Sequence, residues 1–114
     1  MTRRIDITPE PGRFIVRFGG ATVLETGNAL SLKEGDHPAV LYFPRADAAM
    51  DHFRPTRHTT HCPWKGDASY FSLVAGDRTA ENAVWSYETP SDACAPIREH
   101  LAFYPDKVEI ARHD

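Results

Sequence analysis

Several features that mark other protein classes are scarce in this sequence of 114 residues. Its two cysteines, Cys62 and Cys94, stand 32 positions apart without a Cys-x-x-Cys pair, which disfavours both a structural disulfide and a thiolate zinc site. No apolar run approaches the roughly 18 residues of a membrane span, and no apolar core follows the basic residues near the start, as it would in a signal peptide. We therefore expect a cytoplasmic protein with reduced thiols.

An excess of positive charge is also lacking. The chain has 13 basic and 16 acidic side chains, for a formal net charge of −3, and its hydrophobic content is 41%. This balance is ordinary for a globular protein and predicts binding neither to nucleic acid nor to an anionic membrane surface.

Short runs of β-forming residues, separated by glycine, proline and asparagine, dominate the chain. They predict a mainly β single domain over residues 1–114, with seven or eight short antiparallel strands and one or two short helices. Phe14, Val16 and Phe18 alternate with the residues between them, and Gly19-Gly20 joins this run to 21–26, which predicts a tight hairpin. Further strands are expected over 29–33, 39–43, 69–74, 82–87 and 107–110.

Two segments have helical signals. Residues 47–53 are predicted to form one turn with Asp47 as its N-cap. Residues 91–100 are predicted to form the main helix, capped by Ser91 or Asp92, with Pro96 tolerated only in its first turn.

Four blocks of residues resemble a known family. They are Tyr-Phe-Pro-Arg-x-Asp at 42–47, Thr-Thr-His-Cys-Pro-Trp-Lys-Gly-Asp-Ala-x-Tyr at 59–70, Ala-x-Trp-x-Tyr at 83–87 and Phe-Tyr-Pro-Asp-Lys-Val at 103–108. In this order and spacing, from about Arg13 to Val108, they resemble the domain of unknown function 427 family. Trp64 stands where the family pattern usually has tyrosine. Any role of this position in a site therefore needs only an aromatic surface and not a phenol hydroxyl.

The resemblance implies a small barrel-like fold of the β-tent kind. That architecture is shared with methionine sulfoxide reductases of the B type and with the thalidomide-binding domain of cereblon. Such relatives usually carry paired cysteines for zinc, which this chain lacks, so their metal site does not carry over. The family has also borne a nucleotidyltransferase label, although the sequence contains no Gly-Ser turn followed by an Asp-x-Asp pair.

The Cys-Pro-Trp-Lys-Gly block supplies the candidate catalytic residues Cys62, Lys65 and His61. A lysine beside a cysteine favours the nucleophilic thiolate, and an adjacent histidine can serve as acid or base. Lys65 would alternatively hold a carboxylate or phosphate as a point charge. The competing interpretation is a rigid turn set by Pro63 and Gly66, in which Cys62 packs as a small hydrophobic residue.

A metal site is not predicted. His58 and His61 are three positions apart, so on an extended segment their side chains point to opposite faces. The set of His61, Cys62 and Asp67 contains adjacent residues, which rarely converge on one ion in a strand. The sequence indicates no other cofactor.

Aromatic and polar residues in the middle of the chain form a second group of candidates. The candidate ligand-binding residues are Tyr42, Arg45, Trp64, Tyr70 and Tyr87. Aromatic walls with a few polar groups are typical of small-molecule sites, and buried tyrosine hydroxyls need partners. The alternative is that these rings fill the core, which is the interpretation we favour for Phe43 and Trp85; Tyr104 is left open.

We therefore predict a small-molecule binding domain, or an enzyme of undefined reaction, with a pocket around the Thr-His-Cys-Pro-Trp-Lys-Gly block. Arg45 and Lys65 would allow that molecule to be an anion. The alternatives are a thiol-dependent enzyme using Cys62, a nucleotidyltransferase-like activity, and a protein-interaction module anchored by Trp64. A monomer and a homodimer are both compatible with the sequence.

Overall fold

The computed structural model describes residues 4–113, which form ten strands and three short 3-10 helices. The strands are β1 (Ile5–Pro9), β2 (Arg13–Phe18), β3 (Ala21–Thr26), β4 (Leu30–Glu34), β5 (Val40–Pro44), β6 (Phe53–Cys62), β7 (Gly66–Ala75), β8 (Arg78–Tyr87), β9 (His100–Phe103) and β10 (Glu109–His113). The 3-10 helices are Arg45–Asp47, Met50–His52 and Asp92–Ile97.

The strands lie in two antiparallel sheets. Seven strands form the large sheet in the order β1-β4-β5-β9-β8-β7-β6, and the small sheet has the order β10-β2-β3. The prediction of a mainly β domain is confirmed. The sheets are not closed into a barrel.

The predicted hairpin around Gly19-Gly20 is present. β2 pairs with β3 up to Phe18 opposite Ala21, and the two glycines have φ of 57° and 81°. Both values lie in the left-handed region, where glycine has no steric penalty, so this pair makes the tight turn possible.

The large sheet has apolar side chains on both faces. One face packs against the small sheet, and Phe43, Phe71 and Phe103 meet Phe14 and Val16 there in the main core. The opposite face carries a second cluster around Tyr42, Tyr70, Tyr87 and Ala102, which the 3-10 helix Asp92–Ile97 covers with Cys94 and Ile97. Consecutive strand residues point to opposite faces, so neighbours such as Tyr42 and Phe43 enter different clusters.

The helical predictions differ from the structure. The helix predicted over 91–100 is a 3-10 helix that ends at Ile97, because Pro96 has no N–H to extend it and Glu99 (φ 56°) turns the chain into β9. The prediction of Asp47 as an N-cap is wrong: it ends the 3-10 helix Arg45–Asp47, and its carboxylate accepts a hydrogen bond from the Thr26 hydroxyl at 2.7 Å. Strands β1, β6 and β9 were not among the predicted strands.

Candidate functional site

A cavity of about 330 Å³ lies on the face of the large sheet that points away from the small sheet. We call it the aromatic pocket. Its lining residues are Leu32, Glu34, His37, Pro38, Val40, Tyr42, Lys65, Tyr70, Trp85, Tyr87 and Tyr104.

Strand geometry brings most of these rings together. Trp85 and Tyr87 are two positions apart on β8, so both point to the same face. Tyr70 on β7 stands directly opposite Trp85, and Tyr42 on β5 reaches Trp85 across β9 with their ring centroids 6.5 Å apart. Tyr104 also packs against Trp85, with the ring centroids 4.8 Å apart.

An ion pair between Lys65 and Glu34 lies at the aromatic pocket. The Lys65 Nζ donates a hydrogen bond of 2.5 Å to the Glu34 Oε1, and the two side chains are only 12% and 11% exposed. Lys65 is presented by the turn between β6 and β7, where its N–H donates to the Cys62 carbonyl and Gly66 has a φ of 114°. Glu34 ends β4, on the same face as Leu32.

The surroundings of Lys65 act on its charge in both directions. Burial disfavours the ammonium, but the hydrogen bond to Glu34 and the nearby Cys62 outweigh it, so the pKa of Lys65 is raised above its ordinary value. The amine therefore stays protonated at neutral pH, which favours a role as a hydrogen-bond donor over one as a nucleophile or base.

The tyrosine hydroxyls are held as neutral phenols. Burial raises the pKa of Tyr42 to about 12, and its oxygen accepts a hydrogen bond from the Trp85 Nε1 at 3.2 Å. Burial, together with the neighbouring Tyr42, also raises the pKa of Tyr87. The neighbouring Tyr70, followed by burial, raises the pKa of Tyr104. At neutral pH these groups are available as O–H donors.

The Tyr87 hydroxyl makes no hydrogen bond within residues 4–113. Over the same residues, the Arg45 Nε is the only fully buried side-chain nitrogen or oxygen atom without a partner. The Tyr87 oxygen is therefore not sealed in the protein, and it keeps access to the cavity or to solvent.

The structure brings four of the predicted site residues to the aromatic pocket, namely Tyr42, Lys65, Tyr70 and Tyr87. Cys62 is half-buried, packs against the cluster beneath the pocket and lies close enough to Lys65 to act on its charge.

Arg45 lies on the other face of the sheet. It contacts Ser86, whose side chain points away from its neighbour Tyr87, with Nη2 donating to Ser86 Oγ at 3.1 Å and to Glu88 Oε1 at 2.6 Å. The guanidinium also lies 5.7 Å from the centre of the Phe71 ring. Arg45 and Lys65 therefore do not converge on one ligand.

His61 and Trp64 also do not line the pocket. His61 is exposed, and its Nδ1 lies 2.7 Å from the Oδ1 of Asp67 across the β6–β7 hairpin. Trp64 is half-buried, and its carbonyl accepts a hydrogen bond of 2.7 Å from the Ser91 hydroxyl. Across residues 4–113, no three His, Cys, Asp or Glu side chains are grouped so that they could hold a metal ion.

Sequence reasoning did not single out Glu34 and His37, and it favoured Trp85 as a core residue. A signal for Glu34 was present: Leu30, Leu32 and Glu34 alternate along β4, so the acidic residue continues an apolar face. His37 follows in a loop, where no periodicity indicates its direction.

A comparison with protein-family models places the chain in a family. The model of a family described as a domain of unknown function (DUF427), which also bears a nucleotidyltransferase name, matches residues 6–114. No curated protein matches the chain. Within the part of the chain that the structure describes, no helix is long and apolar enough to cross a membrane.

Proposed function

The chain belongs to the DUF427 family, and from the geometry of the aromatic pocket we propose that it is a small-molecule binding domain. The observation that carries this proposal is a single cavity of about 330 Å³. Four tyrosine rings and one tryptophan ring line it, together with the largely buried Lys65–Glu34 ion pair. Cavities from about 300 Å³ upward, with apolar walls and few polar groups, are typical of small-ligand sites.

The charges at the pocket favour an uncharged ligand. The sequence allowed an anionic ligand held by Lys65, by Arg45 or by both, but Arg45 pairs with Glu88 on the opposite face. Lys65 is neutralised by Glu34 at 2.5 Å. An anion would lie next to the Glu34 carboxylate, and a cation next to the Lys65 ammonium, so either would lose hydration without a net opposite charge to replace it.

The polar groups favour a ligand that accepts hydrogen bonds. Lys65 has donor capacity beyond its bond to Glu34, and the neutral Tyr87 hydroxyl has no partner within residues 4–113. The walls contributed by Trp85 and Tyr104 suit a flat ring. We therefore propose a ring-bearing molecule with a carbonyl-type acceptor.

Three probes of the same shape test this proposal. Binding of benzamide, benzoate and benzylammonium to the full chain is followed by NMR titration at pH 7. We expect benzamide to bind most tightly, because it offers a neutral carbonyl. Tyr87→Phe should weaken benzamide binding about five-fold, the equivalent of one lost hydrogen bond.

His61→Ala is the matched control, since His61 is exposed and outside the pocket. It should leave benzamide binding unchanged. The proposal is wrong if none of the three probes binds, or if Tyr87→Phe and His61→Ala have the same effect.

A nucleotidyltransferase is the second candidate, supported by the name that the family model bears. It predicts that ATP with Mg²⁺ raises the melting temperature and competes with benzamide. Binding of benzamide without any effect of Mg²⁺ and ATP would favour the first proposal.

A further inference from the structure

An apolar groove of about 220 Å³ adjoins the aromatic pocket. Apolar residues line it throughout, among them Leu41, Phe103 and Ile110. We call it the apolar groove. It has two lining residues in common with the aromatic pocket, Val40 and Trp85, so the two cavities are neighbours separated by these side chains.

Strand pairing explains why the cavities meet. β5 and β9 pair only through Phe43 opposite Leu101 and Pro44 opposite His100. Beyond these pairs, β5 is paired only with β4, and Ala102 and Phe103 of β9 are paired only with β8. The ladder between β5 and β9 therefore ends, and the sheet opens there. The groove is lined by Phe43 and Phe103, which belong to the main core, and by Val40 and Trp85 from the opposite cluster, as expected for a passage at this opening.

The exposed apolar surface is concentrated at the same place. Within residues 4–113, the exposed large hydrophobic side chains are Tyr104 and Ile110, which are 39% and 37% exposed. Tyr104 borders the aromatic pocket, and Ile110 borders the apolar groove. Exposed apolar surface next to a binding cavity is commonly covered by what binds there.

From this continuity we propose that the two cavities form one site for an amphipathic small molecule. Its polar ring would occupy the aromatic pocket, and an apolar tail would pass Trp85 into the apolar groove. This inference rests on the proposed function and adds the second half of the ligand. The one polar side-chain group among the residues that line the groove is the Trp85 N–H, which already donates to the Tyr42 hydroxyl, so an alkyl chain or a second ring is the chemistry that fits the groove.

A series of benzamides with a methyl, propyl or pentyl group opposite the amide tests the proposal. We expect affinity for the wild-type chain to rise about four-fold for each buried methylene until the groove is full. Ile110→Ser should flatten this dependence on chain length and leave the affinity for benzamide itself unchanged. Ile110 pairs with Val16 through the backbone, and its side chain is exposed, so this variant keeps the fold.

The outcomes separate the two proposals. If benzamide binds but its alkyl derivatives bind no more tightly, the amphipathic ligand is wrong and the binding domain stands. A chain-length dependence that Ile110→Ser leaves intact also overturns the inference, because the tail then lies elsewhere. If benzamide and the whole series fail to bind, both proposals fall. A dimer seen by light scattering and lost in Ile110→Ser would assign the groove to a second copy of the chain instead.

Discussion

The Lys65–Glu34 pair allows a sharp test of the site's construction. At 2.5 Å, the attraction between the two charges is about 7 kcal/mol with an effective dielectric constant of about 20. Desolvation of two side chains that are only 12% and 11% exposed offsets much of this gain. Removing one partner of such a pair costs about 3–5 kcal/mol, because the remaining charge loses the opposite charge beside it.

We therefore expect Lys65→Met to lower the free energy of unfolding by about 3 kcal/mol, which corresponds to about 12 °C in melting temperature for a domain of this size. Adding Glu34→Leu in the same chain should restore part of the loss, because the carboxylate that has lost the Lys65 ammonium is then removed as well. Urea denaturation at pH 7 of the wild type, both single variants and the double variant gives the coupling free energy between the two positions.

The chain contains a matched control for this experiment. Arg13 and Glu25 form an ion pair of 2.8 Å on the surface, with side chains 57% and 44% exposed. Arg13→Met should cost about 1 kcal/mol or less. If Lys65→Met costs no more than Arg13→Met, or if the effects of the Lys65 and Glu34 changes simply add, the pair behaves as a solvated one and the reasoning on the pocket's charges is refuted.

Three further outcomes follow from the structure. Tyr42 has a pKa of about 12 in the folded state against 10 in the unfolded state. Its contribution to the free energy of unfolding is therefore complete below pH 10 and is lost as the pH rises toward 12. Between pH 9 and 11, Tyr42→Phe should therefore lose about 1.4 kcal/mol less stability than the wild type in urea titrations; equal losses would contradict this. Gly66→Ala should destabilise by about 1–3 kcal/mol, since φ is 114° and the new Cβ would lie 3.3 Å from the Thr89 carbonyl oxygen, whereas Gly35→Ala meets no atom within 4 Å and should cost less. If Cys62 is the nucleophile of a thiol enzyme, iodoacetamide below pH 8 should alkylate Cys62 faster than it alkylates free glutathione. Faster alkylation of Cys62 than of Cys94 is not enough to show a reactive thiol, because Cys94 is 0% exposed.

Local patterns were enough to predict the β class and much of its detail. Turn residues marked the hairpin at Gly19-Gly20, and β-branched or aromatic runs marked β2, β3 and β8. β6 was missed because its residues from Arg54 to His61 are mostly exposed and polar, as befits an edge strand whose stability depends on pairing with β7. The prediction of a helix over 91–100 is wrong, because Pro96 lacks the N–H that an α-helix needs there and the chain turns toward β9 after Ile97.

The candidate site was only partly predictable. Alternation along β8 places Trp85 and Tyr87 on one face, but it does not tell which distant strand supplies the facing wall. Glu34 and Lys65 are 31 positions apart, and three strands lie between β4 and β7 in the sheet, so no local pattern indicates that the two side chains meet. Arg45 shows the converse: it is close to Tyr42 in the chain, yet pairing with Ser86 and Glu88 holds it on the far face.

The pairing of β10 with β2 has a consequence for the order in which the protein folds. Strands β6, β7 and β8 follow one another and pair as a meander, so their contacts close short loops. β10 must instead find β2 across nearly the whole chain, with Glu109 opposite Arg17. Because closing a long loop has a larger entropic cost, we expect the meander and the β2–β3 hairpin to form early and β10 to join the small sheet last. The walls of the aromatic pocket on β7 and β8 would then exist before Ile110 of β10 completes the apolar groove.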